Sequence, residues 1–581
     1  MDDSLFRVLK IDLSRMDFLI ENRRELFLRY LGGVGVGVKL FEEELDRNSD
    51  PLGPGNVIVL AVGAMTALYP FASKTVAIFR SPLTGNYGES HAGGRSAAAI
   101  RMAGYGAIVI KGAAEHPIYL DINENGVRFR DARALWGMKT DIAGRVIRER
   151  AGKEGFRSII RIGPAGERLI RYSSAVVETY RHFGRLGIGA VMGSKKLKAI
   201  VISGRRTIKV EDKAGYRRIY EKIFRESQGE FMKKYHDLGT PMNVMPLNEI
   251  GALPTMNLRY NRFDKADEIS GESIASKRLG RRIACSHCPT ACIHIAALRE
   301  PYEEEPYFYK TEFVSYDYEP IYALGSMLGI GDVDGLLKLI KEVDKLGLDA
   351  ISTGVVLSWA TEALERGILR KEDVLIDLKW GDYEKYIEAV NLIVRGENEF
   401  YRYMGLGVEA AAAKYGGVEF ALSFGGNEMA GYHTGPAAYI TNITGARHSH
   451  LDSAGYSFDQ EMLKEGRIQS PADIATKLFE EESWRQVLCS LVVCLFSRKI
   501  YRPNVVRECL EPLGLRFSEE ELVGIGKEIL KNKNKIKEDL GFSFDKIRLP
   551  RRIFEVDTPL GRLDEEKLRE AVEKFRELLK S

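Results

Sequence analysis

Three cysteines lie close together in the middle of the chain, at Cys285, Cys288 and Cys292. Their C-x2-C-x3-C spacing allows one compact loop to wrap three corners of an iron–sulfur cubane, and a distant cysteine can close the fourth. Zinc is an alternative, because His287 and His294 stand beside these thiols and zinc accepts mixed cysteine and histidine sites. A third alternative is a group of core thiols without metal. The spacing favours the cluster. The candidates for its fourth ligand are the remaining cysteines, Cys489, Cys494 and Cys509.

Two glycine-rich stretches, 81–95 and 181–195, have the composition of phosphate-binding loops. Glycine lets the backbone approach a ligand closely, and neighbouring arginine and lysine side chains can hold phosphate oxygens. Tight turns in a β-rich domain would explain the same glycines. A third stretch, 31–37, resembles a dinucleotide-binding loop only in its glycines, because no acidic residue follows at the required place.

The composition excludes several classes of protein. Glycine accounts for 57 of 581 residues, above the usual ~7%. With 85 basic and 82 acidic residues the net charge is +3, which gives no support to binding of nucleic acid or of an anionic membrane surface. Six cysteines are too few for a secreted disulfide scaffold. The scarcity of glutamine beside abundant Lys, Arg and Glu resembles proteins from very hot environments.

The chain shows no signal for export or membrane insertion. It begins with an acidic segment rather than a basic one, and no stretch approaches the ~20 apolar residues of a membrane span. We therefore expect a cytoplasmic protein.

The elements that must position these residues change in character along the chain. Up to about residue 205, short β-type runs alternate with glycine clusters. Helical periodicity follows at 213–234, 333–346 and 360–366, and Asp564 is placed to cap a last helix. The basic run 531–537 is interpreted as a solvated helix face. The predicted strands are 6–13, 57–62, 75–79, 106–110, 118–122, 158–162 and 198–202.

Taken together, these stretches resemble the aldehyde:ferredoxin oxidoreductase family, whose members hold tungsten in two pterin dithiolenes beside a [4Fe–4S] cluster. The resemblance runs from near Leu5 almost to the C-terminus and does not decide between tungsten and molybdenum. Five motifs in the family's order carry it: 81–94, 162–199, 285–292, 318–354 and 428–455.

The resemblance implies an α+β fold of three domains. Residues 1–207 would form a β-rich base under the pterins and their phosphates. Residues 208–405 would form a mainly helical domain with the cluster loop and the first pterin motif. Residues 406–581 would form a second mainly helical domain with a substrate-pocket histidine and the fourth cluster cysteine.

The resemblance also implies ligands for each cofactor. The cluster would be held by Cys285, Cys288, Cys292 and Cys494. A magnesium ion would bridge the two pterin phosphates, held partly by backbone carbonyls at His91 and His182. The expected pterin and phosphate contacts are Lys74, His91, Gly93, Arg181, His182, Gly184, Arg185, Asp344, Leu348, Asp349, His450, Cys489, Val493 and Leu495.

The activity that the resemblance implies is oxidation of an aldehyde to a carboxylic acid. Glu319 would act as general base and His448 would donate a hydrogen bond beside the metal, with Tyr432, His433 and His450 as further pocket candidates. Electrons would leave through the cluster to ferredoxin or to a dedicated iron–sulfur subunit, in a homo- or hetero-oligomer.

Two departures from the family pattern stand out. Cys489 occupies the place of a pterin-binding aspartate, and a thiol is a weak hydrogen-bond partner beside a carboxylate. Some relatives join subunits through an iron bound by glutamate and histidine, but this chain has no histidine between His294 and His433. Subunit contacts, if any, must be made otherwise.

Two different functions are also considered. One is a low-potential aryl-acyl-CoA reductase subunit on the same scaffold. The members with that activity place a cysteine on the metal, and only Cys489 and Cys509 remain once the cluster is filled. The other is a zinc-stabilised protein that binds partners without redox chemistry.

Overall fold

The computed structural model describes residues 2–152, 155–302 and 305–581. Its N-terminal part contains two six-stranded mixed sheets. The strands of the first sheet are β1 (Arg7–Asp12), β2 (Asp17–Asn22), β3 (Ile58–Ala61), β4 (Thr75–Arg80), β5 (Tyr87–Ala92) and β6 (Ala107–Lys111). Those of the second are β7 (Ile118–Asn123), β8 (Gly126–Asp131), β9 (Phe156–Ile162), β10 (Ala175–Val177), β11 (Arg181–Phe183) and β12 (Leu197–Gly204).

Each sheet has one parallel pair, and its other neighbours are antiparallel. The spatial orders are β2-β1-β6-β3-β4-β5 and β11-β10-β9-β12-β7-β8. The edge strands β5 and β11 contact each other, so the two sheets meet there. His91 on β5 and His182 on β11 therefore belong to the same seam.

Six helices pack on these sheets: α1 (Arg24–Tyr30), α2 (Gly33–Glu44), α3 (Ser96–Met102), α4 (Thr140–Arg150), α5 (Pro164–Glu167) and α6 (Ile188–Ser194). All seven predicted strands are present, with ends shifted by at most two residues. The prediction succeeded because these strands are buried runs of branched residues bounded by glycine and polar turns.

The remainder is mainly helical, so the α+β class is confirmed. It also contains a three-stranded antiparallel sheet, β13 (Leu279–Ile283), β14 (Ile293–Tyr302) and β15 (Glu305–Tyr316), and a short pair, β16 (Ser423–Phe424) and β17 (Asn427–Glu428). The helices as far as the short pair are α7 (Lys213–Ser227), α8 (Glu230–Asp237), α9 (Val244–Glu249), α10 (Gly271–Arg278), α11 (Tyr318–Leu324), α12 (Val333–Leu346), α13 (Ala350–Glu365), α14 (Lys371–Val374), α15 (Tyr383–Arg395), α16 (Glu399–Met404) and α17 (Val408–Tyr415). Those after it are α18 (Pro436–Thr444), α19 (Gly455–Glu465), α20 (Pro471–Ser490), α21 (Pro503–Leu510), α22 (Glu519–Asp539) and α23 (Glu565–Lys580).

The helix ends show which local signals were decisive. The predicted helix 333–346 is α12, which Asp332 caps at its start and left-handed Gly347 ends. Asp564 caps α23 as predicted. The helical periodicity predicted at 213–234 covers two helices, α7 and α8, because the chain leaves the helix after Ser227 and Gly229 is extended. The segment 360–366 is the end of the longer α13.

The two parts of the chain share core and backbone contacts. One hydrophobic core combines the first sheet and α2 with α7, α8, α20, α21 and α22. Isolated β-bridges join Ala72 to Val493 and Ser173 to Leu348. Among the described residues, no helix combines the length and apolarity needed to cross a lipid bilayer.

Candidate functional site

A cavity lies between the two sheets and the helical part of the chain. It contains about 1820 Å³ of atom-free space, part of it open to solvent. The residues predicted for the cluster, the cofactor contacts and catalysis line it, with the exceptions of Gly93 and His448. Of the further pocket candidates, His450 lines it, whereas Tyr432 and His433 do not. The sequence motifs, although far apart in the chain, therefore face one space.

The four predicted cluster thiols lie along one wall of this cavity. Cys285, Cys288 and Cys292 belong to the turn between β13 and β14, and Cys494 follows α20. The backbone of Phe71 connects the two segments. Its N–H donates to the His287 carbonyl at 3.1 Å, and its carbonyl accepts from Cys494 N–H at 3.0 Å.

Two thiols of this wall, Cys288 and Cys292, resist ionisation. Burial, and secondarily the neighbouring thiols, raise the pKa of Cys288 to about 12, and the pKa of Cys292 is raised for the same reasons. Burial alone would lower the pKa of the Lys74 ammonium group. The neighbouring Cys494 and Cys285 together have the larger, opposite effect, so the pKa of Lys74 is raised. Within the described ranges, no three His, Cys, Asp or Glu side chains converge closely enough to share a single metal ion.

Two glycines shape the cavity wall in different ways. A Cβ on Gly93 would stand 2.6 Å from the Sγ of Cys285, so a side chain there would push this thiol aside. A Cβ on Gly184 would meet no atom within 4 Å, although Gly184 lines the cavity. Gly93 is thus required by packing, whereas Gly184 leaves room for a ligand.

Asp344 and Asp349, the two aspartates of the first predicted pterin motif, differ in their hydrogen-bond partners. Asp349 caps α13 by accepting from Ile351 N–H, and it also accepts from Ser352 at 2.6 Å and from Arg185 Nε at 3.1 Å. Asp344 lies 3.4 Å from His182 but makes no comparable set of bonds. Burial, with a smaller contribution from Asp317, raises the pKa of Asp344 to about 7. Asp344 is therefore the carboxyl with free capacity for a ligand.

Several buried polar atoms of the cavity residues have no hydrogen-bond partner in the described structure. Burial lowers the pKa of His182 to about 3, so its ring is neutral. Arg181 donates to Asp317 at 3.1 Å, and Arg185 donates to the Glu428 carbonyl at 2.7 Å, but Arg185 Nη1 remains unpaired. Unsatisfied buried groups of this kind are rare and costly in a folded protein. The unpaired atoms are His182 Nε2, Arg185 Nη1, Asn427 Oδ1 and His450 Nδ1.

Glu319 stands at the centre of a compact polar group. Its Oε1 accepts from Tyr432 OH at 3.1 Å and lies 3.3 Å from Nε2 of His450. The Tyr432 and His450 rings lie 5.1 Å apart, and Tyr456 stacks on Tyr432 at 4.2 Å. Burial would raise the pKa of Glu319, but the hydrogen bond and charge of His450 outweigh it and hold the pKa below 4.5. Glu319 is therefore a carboxylate at neutral pH.

His448 lies outside this group. Its Nδ1 is 3.0 Å from the Asn442 carbonyl and its Nε2 is 3.1 Å from Nζ of Lys537, so the neutral ring donates at one nitrogen and accepts at the other. Burial, then Lys537, pushes the pKa of His448 well below its usual value. His433 is likewise held away from the cavity, with its nitrogens on Tyr439 and the Val556 carbonyl.

A buried charged network beside the cavity was absent from the sequence predictions. Glu89 lines the cavity and forms an ion pair with Lys533 on α22. Glu89 also bonds His91 at 2.6 Å and lies 3.7 Å from Arg447. Burial would raise the pKa of Glu89, but Lys533 and then Arg447 outweigh it and lower the pKa well below 4.5.

The solvated face predicted for 531–537 is therefore wrong for two of its lysines. Lys533 and Lys537 are 1% and 0% exposed. Both lie on the buried stripe of α22 that contains Leu530 and Gly526. Lys533 follows Leu530 by three residues and Lys537 follows Lys533 by four, and this helical spacing was the available signal, which the density of positive charge in the run concealed.

The two remaining cysteines occupy different environments. Cys489 lines the cavity, and burial raises its pKa to about 11. Cys509 is fully buried in the core formed with the first sheet. Of these two thiols, Cys489 alone borders the cavity.

Two family models cover most of the chain. Residues 8–204 match "Aldehyde ferredoxin oxidoreductase, N-terminal domain", and residues 216–581 match "Aldehyde ferredoxin oxidoreductase, domains 2 & 3". The chain is 31% identical over 577 residues to the tungsten-containing aldehyde ferredoxin oxidoreductase of Pyrococcus furiosus, covering 96% of this chain and 92% of the relative. The corresponding Thermococcus kodakarensis protein is 32% identical over 580 residues with the same coverage.

Two further similarities are more distant. The WOR-like subunit of the aliphatic sulfonate oxidoreductase of Pyrococcus furiosus is 28% identical over 520 residues, covering 85% of this chain and 79% of the relative. Among solved structures, the active-site complex BamBC of benzoyl coenzyme A reductase with 1,5-dienoyl-CoA aligns with a TM-score of 0.84 at 20% identity. That alignment covers 100% of this chain and 95% of the other. It shows a shared fold.

Replacing Lys533 with Met should destabilise the protein strongly, because Glu89 would lose its closest cation in a buried setting. We expect a loss of about 3–5 kcal/mol, measured as a lower midpoint of thermal unfolding. Lys527→Met, at an exposed position of the same helix, should change the midpoint little. A Lys533→Met variant as stable as the native protein would contradict the buried ion pair.

Proposed function

The chain belongs to the aldehyde ferredoxin oxidoreductase family, and we propose that it oxidises aldehydes to carboxylic acids at a tungsten bis-pterin centre. One observation carries the proposal. The carboxylate of Glu319, bonded to Tyr432 and beside His450, lines the same cavity as the four cysteines of the thiol wall. In this proposal a proton acceptor and an exit for electrons share one cavity.

The cavity residues fit a large anionic cofactor with hydrogen-bonding rings. Lys74, Arg181 and Arg185 supply cations for phosphate oxygens, and Asp344 can accept from ring and amino N–H groups. The unpaired buried atoms of Arg185 and Asn427 offer hydrogen-bonding partners to a ligand, and the empty surroundings of Gly184 leave space for one. A magnesium ion held by the His91 and His182 carbonyls belongs to the same proposal, as does molybdenum in place of tungsten.

For the four thiols of the wall we propose a [4Fe–4S] cluster rather than zinc. The C-x2-C-x3-C spacing of three of them and the place of Cys494 on the same cavity wall support this. Ligation would also lower the raised thiol pKa values. From the cluster, single electrons would pass to ferredoxin or to an iron–sulfur subunit of a homo- or hetero-oligomer.

In this proposal Glu319 acts as the general base. The overall reaction consumes water and the aldehyde and releases the acid, two protons and two electrons. The bound metal centre supplies the two-electron acceptor. Glu319, held ionised by His450 and Tyr432, takes the proton from the attacking water or from the aldehyde hydrate. The same two side chains fix the orientation of its carboxylate.

We assign the hydrogen-bonding histidine to His450 and revise the prediction for His448. His450 lines the cavity beside Glu319, and its Nδ1 is buried without a partner. When the ring is protonated, the Glu319 carboxylate balances its charge and Nδ1–H can donate to the substrate oxygen. Both nitrogens of His448 are already occupied by Asn442 and Lys537.

The aryl-acyl-CoA reductase remains a second candidate. Two observations favour this reductase over a zinc-stabilised protein without redox chemistry. They are the fold shared with the BamBC complex and the position of Cys489 at the cavity wall. Anaerobic assays with aldehydes and a viologen dye, compared with an aryl-CoA and a low-potential reductant, separate the two activities.

Replacing Cys494 with Ala should remove one cluster ligand and lower the iron content. Cys509→Ala removes a core thiol and should leave the iron content unchanged. Iron and acid-labile sulfide per chain, with the visible absorption of the cluster, are the measurements. Equal iron content in the two variants would argue against Cys494 as a ligand.

Glu319→Gln should lower kcat by at least ~10²-fold, because the amide cannot accept the proton. Tungsten, pterin and iron contents should stay native, which separates lost chemistry from lost cofactor. Glu419→Gln, at an exposed position, is the control for the substitution itself. Near-normal turnover of Glu319→Gln with a viologen acceptor would exclude the residue as the base.

The two histidines should respond differently to replacement by Asn. His450→Asn should lower kcat ~10²-fold while the protein stays folded and loaded. His448→Asn should keep most of the activity but lose about 1–3 kcal/mol of stability, because Lys537 loses its acceptor. Turnover and the midpoint of thermal unfolding are measured for both variants. Lost turnover in His448→Asn with normal turnover in His450→Asn would make His448 the catalytic residue instead.

A further inference from the structure

Four cations form a basic patch on the surface beside the thiol wall: Lys234 of α8, Lys464 at the end of α19, and Arg498 and Lys499 just after Cys494. The three lysines are exposed and Arg498 is half-buried. The ammonium groups of Lys234 and Lys499 each lie 5.4 Å from the centre of the Phe231 ring. Two cations on one ring place like charges close together.

The basic patch has no internal charge compensation. Within the described part of the chain, none of its four cations forms an ion pair with a carboxylate. Burial, then Lys499, Arg498 and Lys464, lower the pKa of Lys234, and no acidic group offsets them. Clustered like charges of this kind oppose folding and attract a partner of opposite sign.

The basic patch is attached to the thiol wall by direct contacts. His236 of α8 lies 2.9 Å from the Thr290 carbonyl, between Cys288 and Cys292. Tyr235 stacks on Phe496 at 4.6 Å, with the rings 7° from parallel, and Phe496 lines the cavity beside Cys494. A partner bound to the basic patch would therefore cover the edge of the molecule nearest these thiols.

We propose that the basic patch is the docking surface for a small acidic electron-carrier protein of the ferredoxin type. The proposal rests on the proposed function, since it needs a cluster at the four thiols. In each encounter one electron passes from the reduced cluster to the oxidised carrier, so the carrier is reduced, the cluster is reoxidised and no atom is transferred. Complementary charge speeds encounter and orients the carrier with its own cluster toward Cys494.

The test reverses two charges of the basic patch in the anaerobic holoenzyme, as Lys234→Glu with Lys499→Glu. An acidic two-cluster ferredoxin and benzyl viologen serve as alternative acceptors for aldehyde oxidation at low salt. The KM for ferredoxin should rise about tenfold or more, while turnover with the small cationic dye stays unchanged. The matched control, Lys371→Glu with Lys567→Glu, reverses two exposed lysines of α14 and α23 and should leave both activities unchanged.

The outcomes separate this proposal from the proposed function. An unchanged ferredoxin KM in the patch variant, with normal dye activity, overturns the docking surface. If the native protein oxidises no aldehyde with either acceptor, the proposed function fails, and docking is tested by calorimetric Kd for ferredoxin. Equal Kd values for the native protein and the charge-reversed variant would then overturn the docking surface. If charge reversal prevents folding, the variant Lys234→Gln with Lys499→Gln is used instead. The KM for ferredoxin should then rise about threefold.

Discussion

The cavity depends on backbone hydrogen bonds that hold two helical-region segments against the N-terminal sheets. Residues 347–349 and 492–494 are each bound by a pair of such bonds, and both segments contribute residues to the cavity lining. The bonds run from Ser174 N–H to Gly347 O at 2.8 Å, from Asp349 N–H to Tyr172 O at 3.0 Å, from Lys74 N–H to Val492 O at 3.1 Å and from Cys494 N–H to Phe71 O at 3.0 Å. Glycine makes this approach possible. A Cβ on Gly163 would lie 2.3 Å from Leu346 O, and one on Gly33 would lie 2.3 Å from Cys489 O. Part of the glycine excess thus serves contact between backbones.

Closing the cavity in this way buries charges that cannot satisfy one another. Arg185 keeps an unpaired nitrogen, Asp344 has its pKa raised, and burial raises the pKa of the Cys288 thiol. The Glu89–Lys533 pair shows the opposite case, a buried charge fully balanced within the protein. The contrast between these regions separates groups that stabilise the fold from groups that need a ligand.

Sequence patterns predicted what depends on local structure. Buried strands such as β4 and the capped helix α12 follow from branched runs and cap residues, and the thiol loop follows from spacing alone. Lys533 was missed because a buried lysine is recognised only by its partner Glu89, which lies more than four hundred positions earlier in the chain. His450 and His448 are two residues apart in one motif, and only the three-dimensional position of Glu319 distinguishes them. Tertiary contacts, rather than residue type, decided these assignments.

We propose that one cavity holds a metal–pterin centre next to an iron–sulfur cluster. Elemental and pterin analysis of the native protein, purified without oxygen, is the sharpest test. We expect a brown protein with about four irons and one tungsten or molybdenum per chain, together with two pterins. A colourless protein that contains zinc, with neither iron nor pterin, would contradict it.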